Sequence, residues 1–165
     1  MSETSNGTRA FIGVGANLGF ARDAVLNALA DLSELPETEF VGASGLYRSE
    51  PIESSGPDYF NAVAEVRTFL SPLDLLYALF AIEKRYGRVR TVKNAPRTLD
   101  LDLLLYGDVQ IATPELTVPH PRVTERAFTL LPLLELDPEI DIPGRGPARP
   151  FLAGCTAQAI ERLDP

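Results

Sequence analysis

Pro96-Arg97-Thr98-Leu99-Asp100-Leu101-Asp102-Leu103-Leu104-Leu105-Tyr106 is the stretch on which the reading of the chain turns. From Leu99 onward apolar and acidic residues alternate, and a β-strand sends successive side chains to opposite faces. Leu99, Leu101, Leu103 and Leu105 are therefore expected on one buried face, with Asp100 and Asp102 side by side on the other. Two carboxylates so close repel one another unless a cation lies between or above them. A hard divalent ion such as Mg²⁺ answers that need, since it binds one or two carboxylates together with substrate phosphates. Taken alone, an acidic pair on a strand more often marks a solvated sheet face; the preceding segment tips the balance. Lys84 to Arg97 carries six basic residues and no acid, in a chain of 15 Lys+Arg against 23 Asp+Glu and net charge −8. A cationic loop beside paired carboxylates suits a metal-bound polyphosphate, with Mg²⁺ on the acids and guanidinium forks on the phosphate oxygens.

With 165 residues, the chain is expected to form one domain with a sizeable core, residues 1–8 making a disordered tail. It holds no apolar run long enough for a membrane helix, and its small, polar N-terminus lacks the apolar stretch of a signal peptide. The single cysteine, Cys155, has no partner for an internal disulfide. These features point to a cytoplasmic protein without membrane attachment. The acidic balance argues against nucleic acid as a partner, which needs a broad basic face.

Working outward, Arg9 to Gly15 reads as a first strand running into a Gly15–Gly19 turn. That turn lacks both the lysine of a Walker A loop and the spacing of a dinucleotide fingerprint. Val25, Leu26, Leu29 and Leu32 recur at helical spacing within a helix expected over Ala21–Leu35. Phe40–Arg48 reads as a second strand and Tyr59–Leu70 as a third, joined by a loop long enough to be functional, Ser49–Asp58. Ser71-Pro72-Leu73-Asp74 is a helix start, with a capping serine and proline in the first turn. Leu75, Leu76, Leu79, Phe80 and Ile82 form its apolar stripe, and Lys84 and Arg85 suit its last turn. The order β-α-β-β-α-β is that of the ferredoxin-like fold, an α+β arrangement. It predicts an antiparallel four-stranded sheet with two helices on one face, leaving the other for a C-terminal extension. In that extension Val109–Ile111 reads as a short return strand, Arg126–Leu134 as a helix interrupted at Pro132, Asp137–Pro150 as a surface wrap, and Thr156–Leu163 as a terminal helix.

Several stretches together closely resemble one family, the 6-hydroxymethyl-7,8-dihydropterin pyrophosphokinases of folate biosynthesis. They are Gly13–Gly19, Leu46–Pro51, Pro57–Ala62, Ile82–Arg90, Pro96–Asp102 and Leu116-Thr117-Val118-Pro119-His120, which fall in family order between about Phe11 and Pro138. The resemblance implies transfer of pyrophosphate from ATP to the pterin hydroxymethyl group, with release of AMP. It implies that Asp100 and Asp102 hold two Mg²⁺ ions, and that Arg88 and Arg97 close over the phosphates with support from Arg90. His120 and Arg126 would contact the phosphate tail, with Leu103 and Thr117 near the base. Tyr59 and Phe128 would sandwich the pterin, Asn61 would read its edge, and Ser49 and Ile52 would reach it mainly through backbone groups. ATP and the pterin are the implied partners, with no obligate protein partner.

The chain departs from some relatives at three positions. Glu115 stands where an arginine helps to bind phosphate, Asn94 lies nearest the place of a loop tryptophan, and Glu50 replaces a proline. Two rival readings use the same residues. A metal-dependent phosphodiesterase would need a water-activating base near the carboxylates, and a ligand sensor would have no use for Arg88, Arg97, Asp100 and Asp102 together.

Overall fold

The structure is a computed structural model that describes residues 7–17, 19–50, 57–86 and 99–163. The first part of the chain forms β1 (Thr8–Ala16), α1 (Ala21–Leu32), β2 (Thr38–Ala43), β3 (Tyr47–Ser49), β4 (Tyr59–Thr68), α2 (Pro72–Arg85) and β5 (Asp100–Tyr106). The remainder forms β6 (Ile111–Ala112), β7 (Thr117–Val118), α3 (Ala127–Leu136), β8 (Asp141–Ile142), β9 (Gly146–Pro147), a 3-10 turn over Arg149–Cys155, and β10 (Ile160–Arg162). The main sheet runs β10-β3-β4-β1-β5, with β2 also on β4, and every pairing in it is antiparallel. This is the expected α+β architecture, enlarged at one edge.

Both faces of the sheet are covered, but unequally. On one face Ile12, Val14, Ala64, Val66, Leu101 and Leu103 pack with Val25 and Leu32 of α1 and Leu75, Leu79 and Ile82 of α2, all 3% exposed or less. Ser71 caps α2 as expected, its hydroxyl accepting from the Asp74 N–H at 3.1 Å. On the other face Phe11, Val63, Leu104 and Leu105 meet Val123, Leu130, Leu133 and Ile142 from the C-terminal third. That second layer covers only one end of the face.

Four local expectations are corrected. Leu105 does not share a face with Leu99, Leu101 and Leu103. The β1–β5 register slips between Phe11 and Ile12, and the bulge turns both Leu104 and Leu105 toward the C-terminal layer. The second strand is broken into β2 and β3 at Ser44–Leu46. There the Ser44 N–H donates to the Val63 carbonyl at 2.9 Å, and the Ser44 hydroxyl accepts from the Val63 N–H at 3.0 Å, standing in for a ladder partner. The first helix ends at Leu32, and Leu26 is 46% exposed because Ala28 supplies the buried turn instead. Thr156–Leu163 forms no helix. β10 extends the sheet along β3, with Leu163 N–H on the Leu46 carbonyl and Glu50 N–H on the Ala159 carbonyl. Open main-chain groups on the β3 edge draw the terminal segment into the ladder.

Glu135 of α3 locks this edge. Its carboxylate accepts from Gly45 N at 2.8 Å, Tyr47 Oη at 2.7 Å, and Arg162 Nε and Nη2 at 3.1 and 3.2 Å. Partial burial pushes the Glu135 pKa up, but the bonds from Arg162, Tyr47 and Gly45 outweigh it and hold the group below its usual value. Burial and the same carboxylate push Tyr47 up to about 12. A carboxylate held below its unfolded value stabilises the fold above that value, and the contribution fades as pH falls through the folded pKa. Glu135→Gln is therefore expected to lower the melting temperature at pH 7 by about 2–6 °C, corresponding to about 1–2 kcal/mol. The gap to the parent should shrink as the pH is taken below about 4, which thermal melts across pH would check.

Candidate active site

Along the second face the sequence-predicted residues stand in ordered rows. One row runs Tyr47, Asn61, Gly15, Asp100 across β3, β4, β1 and β5, and the next runs Val63, Gly13, Asp102. Ser49 is paired with Tyr59 one step further out. Residues directly opposed in an antiparallel ladder project to the same face. Asn61 and Asp100 therefore look out on one surface, two strand spacings or ~10 Å apart. The strand between them contributes Gly15 and Gly13, which put no side chain in the way. A trough results, with amide and hydroxyl groups on one wall and paired carboxylates on the other.

The polar wall is built tightly. Asn61 and Ser49 are 4% and 6% exposed, and the Asn61 Nδ2 donates to Ser49 Oγ at 3.1 Å. Their bond fixes the amide, whose Oδ1 lies over Gly15, only 2.7 Å from where a Cβ would stand there. Gly15 is a site residue that the sequence reading took for part of a strand-to-helix turn. Its partner across the ladder is legible only from the register.

The acidic wall is completed from the C-terminal third. The His120 N–H donates to the Leu104 carbonyl at 2.9 Å, which anchors the segment after β7 to β5. Its Nδ1 accepts from the Arg122 N–H at 3.1 Å, so neutral His120 carries its proton on Nε2. Burial lowers the His120 pKa, and the charges of Arg126, Arg122 and Arg145 act in the same direction against that of Asp102. At neutral pH His120 is thus an uncharged N–H donor beside Asp102. Arg126 stands at the start of α3 with its guanidinium 5.3 Å from the Phe128 ring centroid, which brings a phosphate candidate and a pterin candidate together.

The other expected residues are spread more widely. Asp100 and Asp102 are half-buried, as are Tyr59 and Phe128. Thr117 is exposed on β7. The Leu103 side chain is buried against the helices, so only its main chain is open to a ligand. β5 is an edge strand, and two residues earlier the Leu101 N–H donates to Glu83 Oε2 at 2.7 Å, so the Leu103 main-chain groups face that same edge. Glu83 itself is 1% exposed and went unassigned in the sequence. Ile52, Arg88, Arg90 and Arg97 lie outside the described residues. Glu115, in the place of a phosphate-binding arginine, accepts from Tyr77 Oη at 2.7 Å.

Among the described residues no third His, Cys, Asp or Glu joins the two aspartates in a metal-binding cluster. Two half-buried carboxylates on alternate positions of one strand suit a hard, oxygen-seeking ion that takes its remaining ligands from water and phosphate. The donor set fits Mg²⁺.

An antiparallel α+β sheet that carries such a trough defines a class of protein, one that sets an acidic, metal-fitting pair opposite a polar recognition wall. The comparisons name the family. The model of the 7,8-dihydro-6-hydroxymethylpterin-pyrophosphokinases matches residues 11–138. The chain is 44% identical over 156 residues to the 2-amino-4-hydroxy-6-hydroxymethyldihydropteridine pyrophosphokinase of Pseudomonas aeruginosa, covering 94% of this chain and 96% of that one. It is 42% identical to the enzyme of the same name from Synechocystis, covering 94% of this chain and 76% of that one. A solved HPPK-DHPS structure with bound substrates superposes with a TM-score of 0.70 at 16% identity, over 90% of this chain and 43% of that longer one, a likeness of fold. The chain belongs to the 7,8-dihydro-6-hydroxymethylpterin-pyrophosphokinase family.

Proposed function

We propose that the chain transfers pyrophosphate from ATP to the hydroxymethyl group of 6-hydroxymethyl-7,8-dihydropterin, giving the pterin diphosphate and AMP in tetrahydrofolate biosynthesis. One observation carries this reading beyond the family match. Asn61 and Asp100 occupy a single register row on one sheet face, with the bare backbone of Gly15 between them. That separation suits an acceptor recognised by its polar edge on one side and a polyphosphate held by cations on the other.

The pterin lies in this reading between Tyr59 and Phe128, with its edge on Asn61 and on main-chain groups of Ser49 and Ile52. Asp100 and Asp102 hold two Mg²⁺ ions, which when bound neutralise charge on the phosphates and polarise the reacting one. Arg88 and Arg97 close over the triphosphate and exclude water, so that the hydroxymethyl oxygen rather than a water molecule attacks. Arg90, Arg126 and the Nε2–H of His120 contact the phosphates, and the Leu103 main chain and Thr117 lie by the base. The hydroxymethyl oxygen attacks the β-phosphorus, and its proton passes to a phosphate oxygen and is released to solvent with the products. The new C–O–Pβ bond replaces the bond from Pβ to the α–β bridging oxygen, whose electron pair leaves with AMP. No covalent enzyme intermediate is needed, since positioning and charge neutralisation suffice for phosphoryl chemistry.

We further infer that the chain acts as a single catalytic unit in the cytoplasm, without a protein partner; the free thiol of Cys155 is in keeping with a reducing compartment. Ion-exchange chromatography of AMP, with and without the reduced pterin, tests the reaction. AMP that forms only when the pterin is present is expected. Pterin-independent release of ADP and phosphate would overturn the reading in favour of a hydrolase.

A further inference from the structure

The chain's positive charge is carried almost wholly by arginine, and several of the described guanidiniums are engaged by carboxylates. Arg9 pairs with Glu65 and Asp137, Arg48 with Glu161, Arg85 with Asp31 and Arg162 with Glu135. Arg122, Arg126 and Arg145 are among those that form no ion pair to any described carboxylate, and each belongs to the segment that follows His120 or bonds to it. Family resemblance assigns Arg126 to the phosphates. Neither the resemblance nor the sequence pattern gives Arg122 or Arg145 any task.

Arg145 is held in place. It stands at the tip of the β8–β9 hairpin, between Gly144 and Gly146, whose φ values of 81° and 87° let the chain reverse there. The hairpin is rooted by Ile142, fully buried in the second core. From that tip the guanidinium reaches back over the segment after His120. Its Nη1 donates to Thr124 Oγ1 at 2.9 Å and its Nη2 to the Pro121 carbonyl at 3.4 Å. Those two bonds use a minority of its five N–H donors and fix the plane of the fork. Arg122 is exposed and follows His120 by two positions, its own N–H locking the imidazole. The Nε2–H of His120, Arg122 two positions on and the Arg145 guanidinium held over the same segment make a cationic cluster suited to an anion, tied by the His120 N–H to β5, the strand that carries Asp100 and Asp102.

We propose that Arg122 and Arg145, with His120, form a subsite for the phosphate chain of the bound nucleotide, a cationic wall contributed by the C-terminal extension. The subsite rests on the pyrophosphokinase reading for its ligand, a magnesium-bound nucleoside triphosphate, and its test does not depend on turnover.

The probe is the α,β-methylene analogue of ATP with Mg²⁺, titrated calorimetrically into the parent, Arg122→Gln/Arg145→Gln and Arg145→Lys, with AMP and the reduced pterin as parallel ligands. The double variant is expected to bind the triphosphate analogue about tenfold more weakly, the loss of charge-assisted contacts to phosphate. AMP and pterin affinities should stay within about twofold, and the gap to the parent should narrow at high salt. Arg145→Lys should recover only part of the loss, because it keeps the charge without the fork. Equal triphosphate affinity in parent and double variant would overturn the subsite. Equal weakening towards all three ligands would also overturn it, by making both arginines part of the scaffold. A parent that binds the analogue yet makes no AMP would instead sink the pyrophosphokinase reading.

Discussion

Asp100→Asn/Asp102→Asn is expected to lower turnover by at least about a thousandfold, since metal-borne charge neutralisation contributes several kcal/mol to phosphoryl transfer. The asparagines keep the size and much of the hydrogen bonding of the originals, so that charge is what changes. Both residues sit half-buried on the uncovered end of the sheet, on the face opposite α1 and α2. The buried positions of β5, Leu101 and Leu103 at 1% and 3% exposure, are left untouched. The melting temperature should therefore move by no more than a few degrees. Affinity for the magnesium–triphosphate analogue should fall with the activity, while pterin binding in the absence of nucleotide should persist. Steady-state AMP formation and separate titrations of the two ligands check this. Wild-type turnover in the double variant would remove the carboxylates from the mechanism.

Gly15→Ala carries the second large effect, on the other substrate. The new Cβ would stand 2.7 Å from Asn61 Oδ1, closer than a carbon and a carboxamide oxygen tolerate. Asn61 cannot turn aside freely, because its Nδ2 is bonded to Ser49 Oγ at 3.1 Å in a site 4% exposed. The side chain must break that bond or push the strands apart, and either displaces the amide that reads the pterin edge. Loss of one well-placed polar contact in a buried site predicts a rise in pterin KM and Kd of about 10- to 100-fold. Nucleotide affinity should stay within about twofold. A second variant separates steric displacement from general damage. Asn61→Ser alone loses the amide, but once it is made, adding Gly15→Ala should cost little more, so the two changes should be strongly non-additive. Full additivity would mean that Gly15 acts elsewhere.

The sequence made some of this legible because local chemistry agreed with tertiary demand. Alternation around Asp100 and Asp102 survives in β5, and Ser71 caps α2 as its spacing predicts. Legibility ended where a distant part of the chain decided the outcome. Leu105 continues the leucine alternation, yet a bulge against β1 turns it over. Thr156–Leu163 has helix-like apolar spacing, but the open edge of β3 and the Glu135 carboxylate draw Ile160–Arg162 into the sheet. A glycine announces no partner in sequence, so the dependence of Asn61 on Gly15 emerges only in the ladder. Arg145 likewise reaches Pro121 and Thr124, the segment after His120, through a hairpin whose reach no local pattern encodes.

The central claim is that an intact pyrophosphoryl group moves through attack at the β-phosphorus. Phosphorus NMR of the protein with Mg²⁺, the reduced pterin and ATP carrying ¹⁸O in the α–β bridge tests it most directly. The expected spectrum holds an AMP resonance displaced by the heavy bridge oxygen, together with two coupled doublets from a diphosphate on the pterin. ADP with inorganic phosphate, or a pterin adenylate with free pyrophosphate, would put the attack at the wrong phosphorus and contradict the mechanism.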